Sequence, residues 1–73
     1  MKRRKIMLPS IAAAKEFVQE ASKCDFDINI FYNRVVIDAK SLLGVLSLDL
    51  TRVLTVEYNG ESEAFESYLD SLE

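Results

Sequence analysis

The chain has no histidine, one cysteine and one proline among its 73 residues. Each scarcity removes a class of chemistry. Without imidazole, neither a Ser-His-Asp triad nor a Cys/His nucleophile pair can be assembled within one chain. A zinc site rich in histidine or cysteine is excluded in the same way, and no metal or other cofactor is expected. The single Cys24 cannot close an internal disulfide, which suits a reducing cytoplasm. No apolar run reaches the 18 residues of a membrane span. No signal-peptide core follows the basic start, because Ile6-Met7-Leu8 stops at Pro9. Neither a GxGxxG nor a GxxxxGK[ST] loop is present. The net charge of −3 argues against nucleic acid or an acidic membrane as the main partner.

What remains is an ordinary folded composition. The length fits one small domain over residues 1–73, burying only about 60% of its unfolded surface. At 49% hydrophobic and 29% charged, the chain can form a core and stay soluble. Met1-Lys2-Arg3-Arg4-Lys5 reads as a solvated charge run rather than a phosphate site, since no aromatic or basic continuation follows.

The periodicity then predicts seven elements. Lys5-Ile6-Met7-Leu8 is a short strand of edge character. Ser10 is a reasonable N-cap for a helix whose stripe is Ile11, Ala14, Phe17, Val18 and Ala21. Cys24 extends that stripe as a small hydrophobe rather than a reactive thiol. Residues 27–32 alternate, Asn33-Arg34 makes a tight turn, and Val35 to Ala39 returns, giving a β-hairpin. A β-branched strand spans Arg52 to Tyr58, with Leu54, Val56 and Tyr58 on one face. Asn59-Gly60 marks a turn. The last helix runs from about Ser62 to Leu72 on a stripe of Phe65, Tyr68, Leu69 and Leu72.

Between the third and fourth strands lies Lys40-Ser41-Leu42-Leu43-Gly44-Val45-Leu46-Ser47-Leu48. Ser41 is placed to cap a helix of barely two turns. The apolar residues point all round it, whereas a helix on a sheet buries one stripe. Either every leucine is covered, or some face solvent or a partner.

This stretch resembles the short helix after the third strand of HPr, the histidine-containing phosphocarrier of the bacterial sugar phosphotransferase system. There a serine opens a short hydrophobic helix, with a glycine and a second serine at this spacing. Ala14-Lys15-Glu16-Phe17-Val18-Gln19-Glu20-Ala21-Ser22-Lys23 is similar to the family's first helix, and the spacing of the blocks also fits. The resemblance runs from about Ile11 to Glu73. It implies an α+β open-faced sandwich, β-α-β-β-α-β-α, with three helices on one face of a four-stranded antiparallel sheet.

The resemblance also shows what is missing. Family members accept a phosphoryl group on a histidine at the start of the first helix, followed by an arginine and a proline. Aligning on Phe17 puts Ser10 at the histidine, Ala12 at the arginine and Ala13 at the proline, and the preceding loop is shortened. Phosphohistidine formation needs an imidazole nucleophile and a cation to hold the phosphate. A phosphoserine ester is too stable to pass the group onward, so Ser10 reads as a structural cap.

A second family site is the serine opening the short helix, phosphorylated by a kinase in many Gram-positive relatives. Ser41 matches it. Partners of the family dock on the apolar patch at this helix, where Leu42, Leu43 and Leu46 stand. The family's glycine after Ser-Leu is Asp49, which can adopt the left-handed conformation and keep the bend. Three functions follow. The first is a non-enzymatic module binding a phosphotransferase component, a kinase or a transcription regulator. The second is a homo-oligomerising module with the leucines as a dimer seam. The third is a divergent phosphocarrier using Ser10 or regulated at Ser41.

Overall fold

The computed structural model describes all of residues 1–73. Seven elements follow in chain order: β1 (Lys2–Ile6), α1 (Ile11–Ser22), β2 (Ile28–Tyr32), β3 (Val35–Asp38), α2 (Leu42–Leu46), β4 (Leu54–Tyr58) and α3 (Glu63–Asp70). The expected order is therefore the observed one.

Each helix begins where a serine can accept a backbone N–H that the first turn leaves unpaired. Ser10 accepts from Ala13, Ser41 from Gly44 and Ser62 from Phe65, at 3.0, 3.2 and 3.2 Å. The hairpin between β2 and β3 turns at Asn33, whose φ of 55° makes it the only non-glycine residue in the left-handed region. Asparagine accepts that conformation at low cost.

The four strands form one antiparallel sheet in the order β1-β4-β2-β3. β4 is thus central and pairs with β1 and β2. Its Leu54, Val56 and Tyr58 are buried, as are Ile28 and Ile30 beside them. Phe17 of α1 and Phe65 of α3 meet at 6.3 Å between ring centroids. Phe65 also sets its edge against Tyr58 at 5.6 Å. The helices cover the face carrying these residues, and Lys5, Thr55, Phe31 and Val36 share one cross-strand row on the opposite face.

Two elements differ from expectation. β1 starts at Lys2 and ends at Ile6, so the basic run is a strand rather than a solvated tail. The cause is α3. Lys2 donates to Glu66 at 3.0 Å, and Arg4 reaches both Asp70 and Glu73. Arg3, on alternate spacing, pairs across the sheet with Glu57 at 2.7 Å. Three of the four cations therefore have a carboxylate, and the fourth, Lys5, is exposed, so strand pairing costs no lone buried charge. The second difference is Ile11, assigned to the buried stripe of α1 but 61% exposed. It lies on the first helical turn, beyond the part of α1 that carries the buried Ala14, Phe17, Val18 and Ala21.

Candidate functional site

The corner between β3 and α2 is assembled from short-range bonds. Ser41 donates its N–H to the Asp38 carbonyl at 2.9 Å and accepts Val45 N–H on its own carbonyl at 2.9 Å. Its hydroxyl oxygen accepts Gly44 N–H. Ser47 closes the helix by donating its hydroxyl to the Gly44 carbonyl at 2.6 Å. Lys40 adds a long-range tie: its ammonium donates to the Cys24 carbonyl at 2.8 Å, joining this corner to the end of α1. Sequence pattern carries no signal for that contact, because the two residues belong to different elements.

The apolar residues of α2 divide sharply. Val45 is fully buried and Leu48 nearly so. Leu42 and Leu46 are half-buried and pack against the core. Leu43 stands out at 83% exposed. Positions 42, 45 and 46 share one side of a helix and position 43 does not. The three leucines expected as a patch therefore comprise one free side chain and two that also serve the core. α1 packs against α2; Ile11 on its first turn and Met7 before it are further exposed apolar residues.

At the start of α1, Ser10 is extended, with φ −155°, and its oxygen is committed to Ala13 N–H. Its carbonyl accepts Ala14 N–H at 3.0 Å. Ala12 is exposed and Ala13 half-buried, so neither offers a charge to an incoming phosphate. The hydroxyl has no general base among the residues of this turn, Ile11 to Ala14, all of which are aliphatic. This turn can cap a helix and present Ile11; it has no group able to activate Ser10.

Asp49 corrects an expectation. It does not take a left-handed conformation, since Asn33 alone does so among non-glycine residues. The chain bends through its side chain instead. The carboxylate accepts Thr51 N–H at 3.1 Å and the Thr51 hydroxyl at 2.5 Å, and pairs with Arg52 at 3.3 Å. The Thr51 hydrogen bonds, with Arg52 behind them, hold its carboxyl below the usual range. This is an Asx-type turn, which needs no positive φ.

Cys24 is buried, and burial pushes its thiol above the ordinary value, as fits a packed sulfur rather than a nucleophile. The larger surface depression, about 310 Å³, is lined by Met1, Asp27, Asn29, Glu57, Tyr58 and Asn59. It contains neither Ser10 nor Ser41 nor any leucine of α2. The exposed apolar surface and the capped serine, rather than a cavity, are what the corner presents.

A β1-β4-β2-β3 antiparallel sheet under three helices, with a short serine-capped helix after the third strand, defines the open-faced sandwich of the phosphocarriers. Residues 11–73 match the family model described as the PTS HPr component phosphorylation site. The chain belongs to the HPr family, the phosphocarriers of the phosphotransferase system. Among solved structures it is similar to HPr-C-His from Thermoanaerobacter tengcongensis, with 25% identity and a TM-score of 0.78, over 97% of this chain and 93% of that one. The phosphocarrier HPr from Bacillus anthracis str. Ames shares the fold at 24% identity and a TM-score of 0.75, covering 99% and 96%. Crh, the Bacillus subtilis catabolite repression protein, matches at 26% identity and a TM-score of 0.66, covering 100% and 91%. Crh is described as a domain-swapped dimer.

Proposed function

We propose that this chain, as one HPr-like domain over residues 1–73, is a protein-binding or regulatory member of the HPr family that carries no phosphoryl group on histidine and is not an enzyme. One observation carries the reading. Ser10, on which the family's phosphate-accepting position falls when the chains are aligned on Phe17, is a helix cap, in a chain without any histidine. Transfer to an imidazole would form an N–P bond to a ring nitrogen and release the donor's leaving group; this chain supplies no such nitrogen. It also supplies no guanidinium at Ala12 to hold the oxygens.

The partner is a phosphotransferase component, a kinase or a transcription regulator in the cytoplasm. It docks on Leu43, with Leu42 and Leu46 beneath it. An exposed leucine on a well-packed helix contributes apolar area at little ordering cost. Regulation acts at Ser41, whose exposed hydroxyl a kinase can esterify with the γ-phosphoryl of ATP, releasing ADP and a proton. The added charge would face the Gly44 N–H that Ser41 now accepts. Pull-down with phosphotransferase components, using wild type and Leu43→Glu, tests docking: retention by both proteins, or by neither, overturns it. Kinase treatment followed by mass spectrometry tests Ser41.

A second reading, self-association, is favoured by the Crh dimer. In that reading the α2 leucines form the seam between two copies. Solution mass of wild type against Leu43→Glu separates the two.

A further inference from the structure

The two edges of the sheet are built differently. β1 carries four consecutive cations, each of the first three paired with a carboxylate of its own chain. A second strand approaching it would meet like charge, which is how edge strands are protected. β3 has no such guard. Its sequence is Val35-Val36-Ile37-Asp38, with Val36 61% and Val35 52% exposed. Arg34, just before the strand, and Asp38, its last residue, make no ion pair within the chain.

The pairing of β3 with β2 fixes which backbone groups are free. Ala39 donates its N–H to the Ile28 carbonyl at 2.9 Å. Backbone direction alternates along an antiparallel strand. Val35, Ile37 and Ala39 therefore address β2, while Val36 and Asp38 turn theirs to the open edge.

We propose that β3 pairs antiparallel with β3 of a second copy of this chain, about a two-fold axis through Val36. In this register Val36 faces its equivalent and exchanges two backbone hydrogen bonds with it. Arg34 lies opposite Asp38 of the second copy, twice, and Val35 lies opposite Ile37. Centring the axis on Ile37 instead would set Val36 against Asp38 and lose both ion pairs. An isologous contact of this kind closes on itself and joins two four-stranded sheets into one of eight strands. It draws on the β3 backbone and its flanking charges rather than on Leu43, and so does not depend on the docking reading. Two four-residue strands make a small contact beside the roughly 1,200–2,000 Å² of stable interfaces, so the dimer forms only as concentration rises.

Sedimentation equilibrium of the whole chain at low salt tests this. The mass should climb from one chain toward two between roughly 10 µM and 1 mM. Val36→Pro removes an N–H that faces the open edge, where proline is tolerated; it should stay monomeric with an unchanged circular dichroism spectrum. Arg34→Asp should also stay monomeric, and Arg34→Asp with Asp38→Arg should recover association. If Val36→Pro unfolds, the charge pair decides the matter. A wild type monomeric at 1 mM overturns the proposal. So does a dimer that survives Arg34→Asp, or one abolished by Leu43→Glu.

Discussion

A β-carbon placed on Gly44 would lie 2.6 Å from Cγ2 of Ile37. The contact sets how closely α2 lies on β3. Ile37 Cγ2 is branched directly at the β-carbon and cannot swing away. Gly44→Ala gains up to about 1 kcal/mol of helix propensity. It should nevertheless lose stability by about 1–3 kcal/mol, because α2 must lift. In an Ile37→Ala background the penalty should vanish or change sign. Denaturant melts of the four proteins check this coupling.

Leu43 and Val45 are two residues apart and should respond oppositely. Leu43→Glu should change stability by no more than about 0.5 kcal/mol, as an exposed substitution. Val45→Ala should cost about 2 kcal/mol, because it opens a cavity in a filled core. Leu46→Glu falls between, because that side chain is half-buried against the core. Leu43 is therefore the cleaner position at which to separate binding from folding by thermal melts.

Tyr68 makes an alkaline limb predictable. Its hydroxyl is buried without a hydrogen-bond partner. Burial, with Glu16 and Glu20 adding to it, pushes its pKa up to about 12 from the usual 10. The folded state thus keeps its proton where the unfolded state loses it. That preference is fully present below pH 10 and is lost as pH rises through 12. Stability should fall over that window. Tyr68→Phe should soften the fall and should be neutral or stabilising at pH 7, since it removes an unsatisfied buried group. Melts at pH 7, 10 and 11.5 read out both effects.

The Arg4 contacts to Asp70 and Glu73 pin the first strand to the last helix. The Glu73 and Asp70 hydrogen bonds raise the guanidinium's pKa further above its ordinary value. The acids are well exposed, so the contribution is modest and screened. Arg4→Gln should cost about 1 kcal/mol at low salt and much less at 1 M. Equal losses at both salt concentrations would show that Arg4 acts through packing of its aliphatic stem.

The order of elements was legible because each helix has a serine immediately before its apolar period and each buried strand alternates. Leu54, Val56 and Tyr58 could be assigned to the core for that reason. A first strand was legible but its bounds were not: the basic run looks solvated until Glu66, Asp70 and Glu73, more than sixty residues away in sequence, are known to face Lys2 and Arg4. The site was half legible. Ser41 as a cap follows from local pattern. The separation of Leu43 from Leu42 and Leu46 does not, because a helix of five residues is too short for periodicity to choose a face. Gly60 shows the same limit. It reads as a turn residue, yet its φ is not positive. Its lack of a side chain serves the Phe26 ring, 2.4 Å from where a β-carbon would stand.

Incubation of the purified chain with the general phosphotransferase enzyme and phosphoenolpyruvate addresses the loss of the carrier function most directly. The account predicts that no acid-labile phosphate appears on the chain, while a histidine-bearing HPr in the same tube is labelled. Acid-labile phosphate on this chain would contradict it.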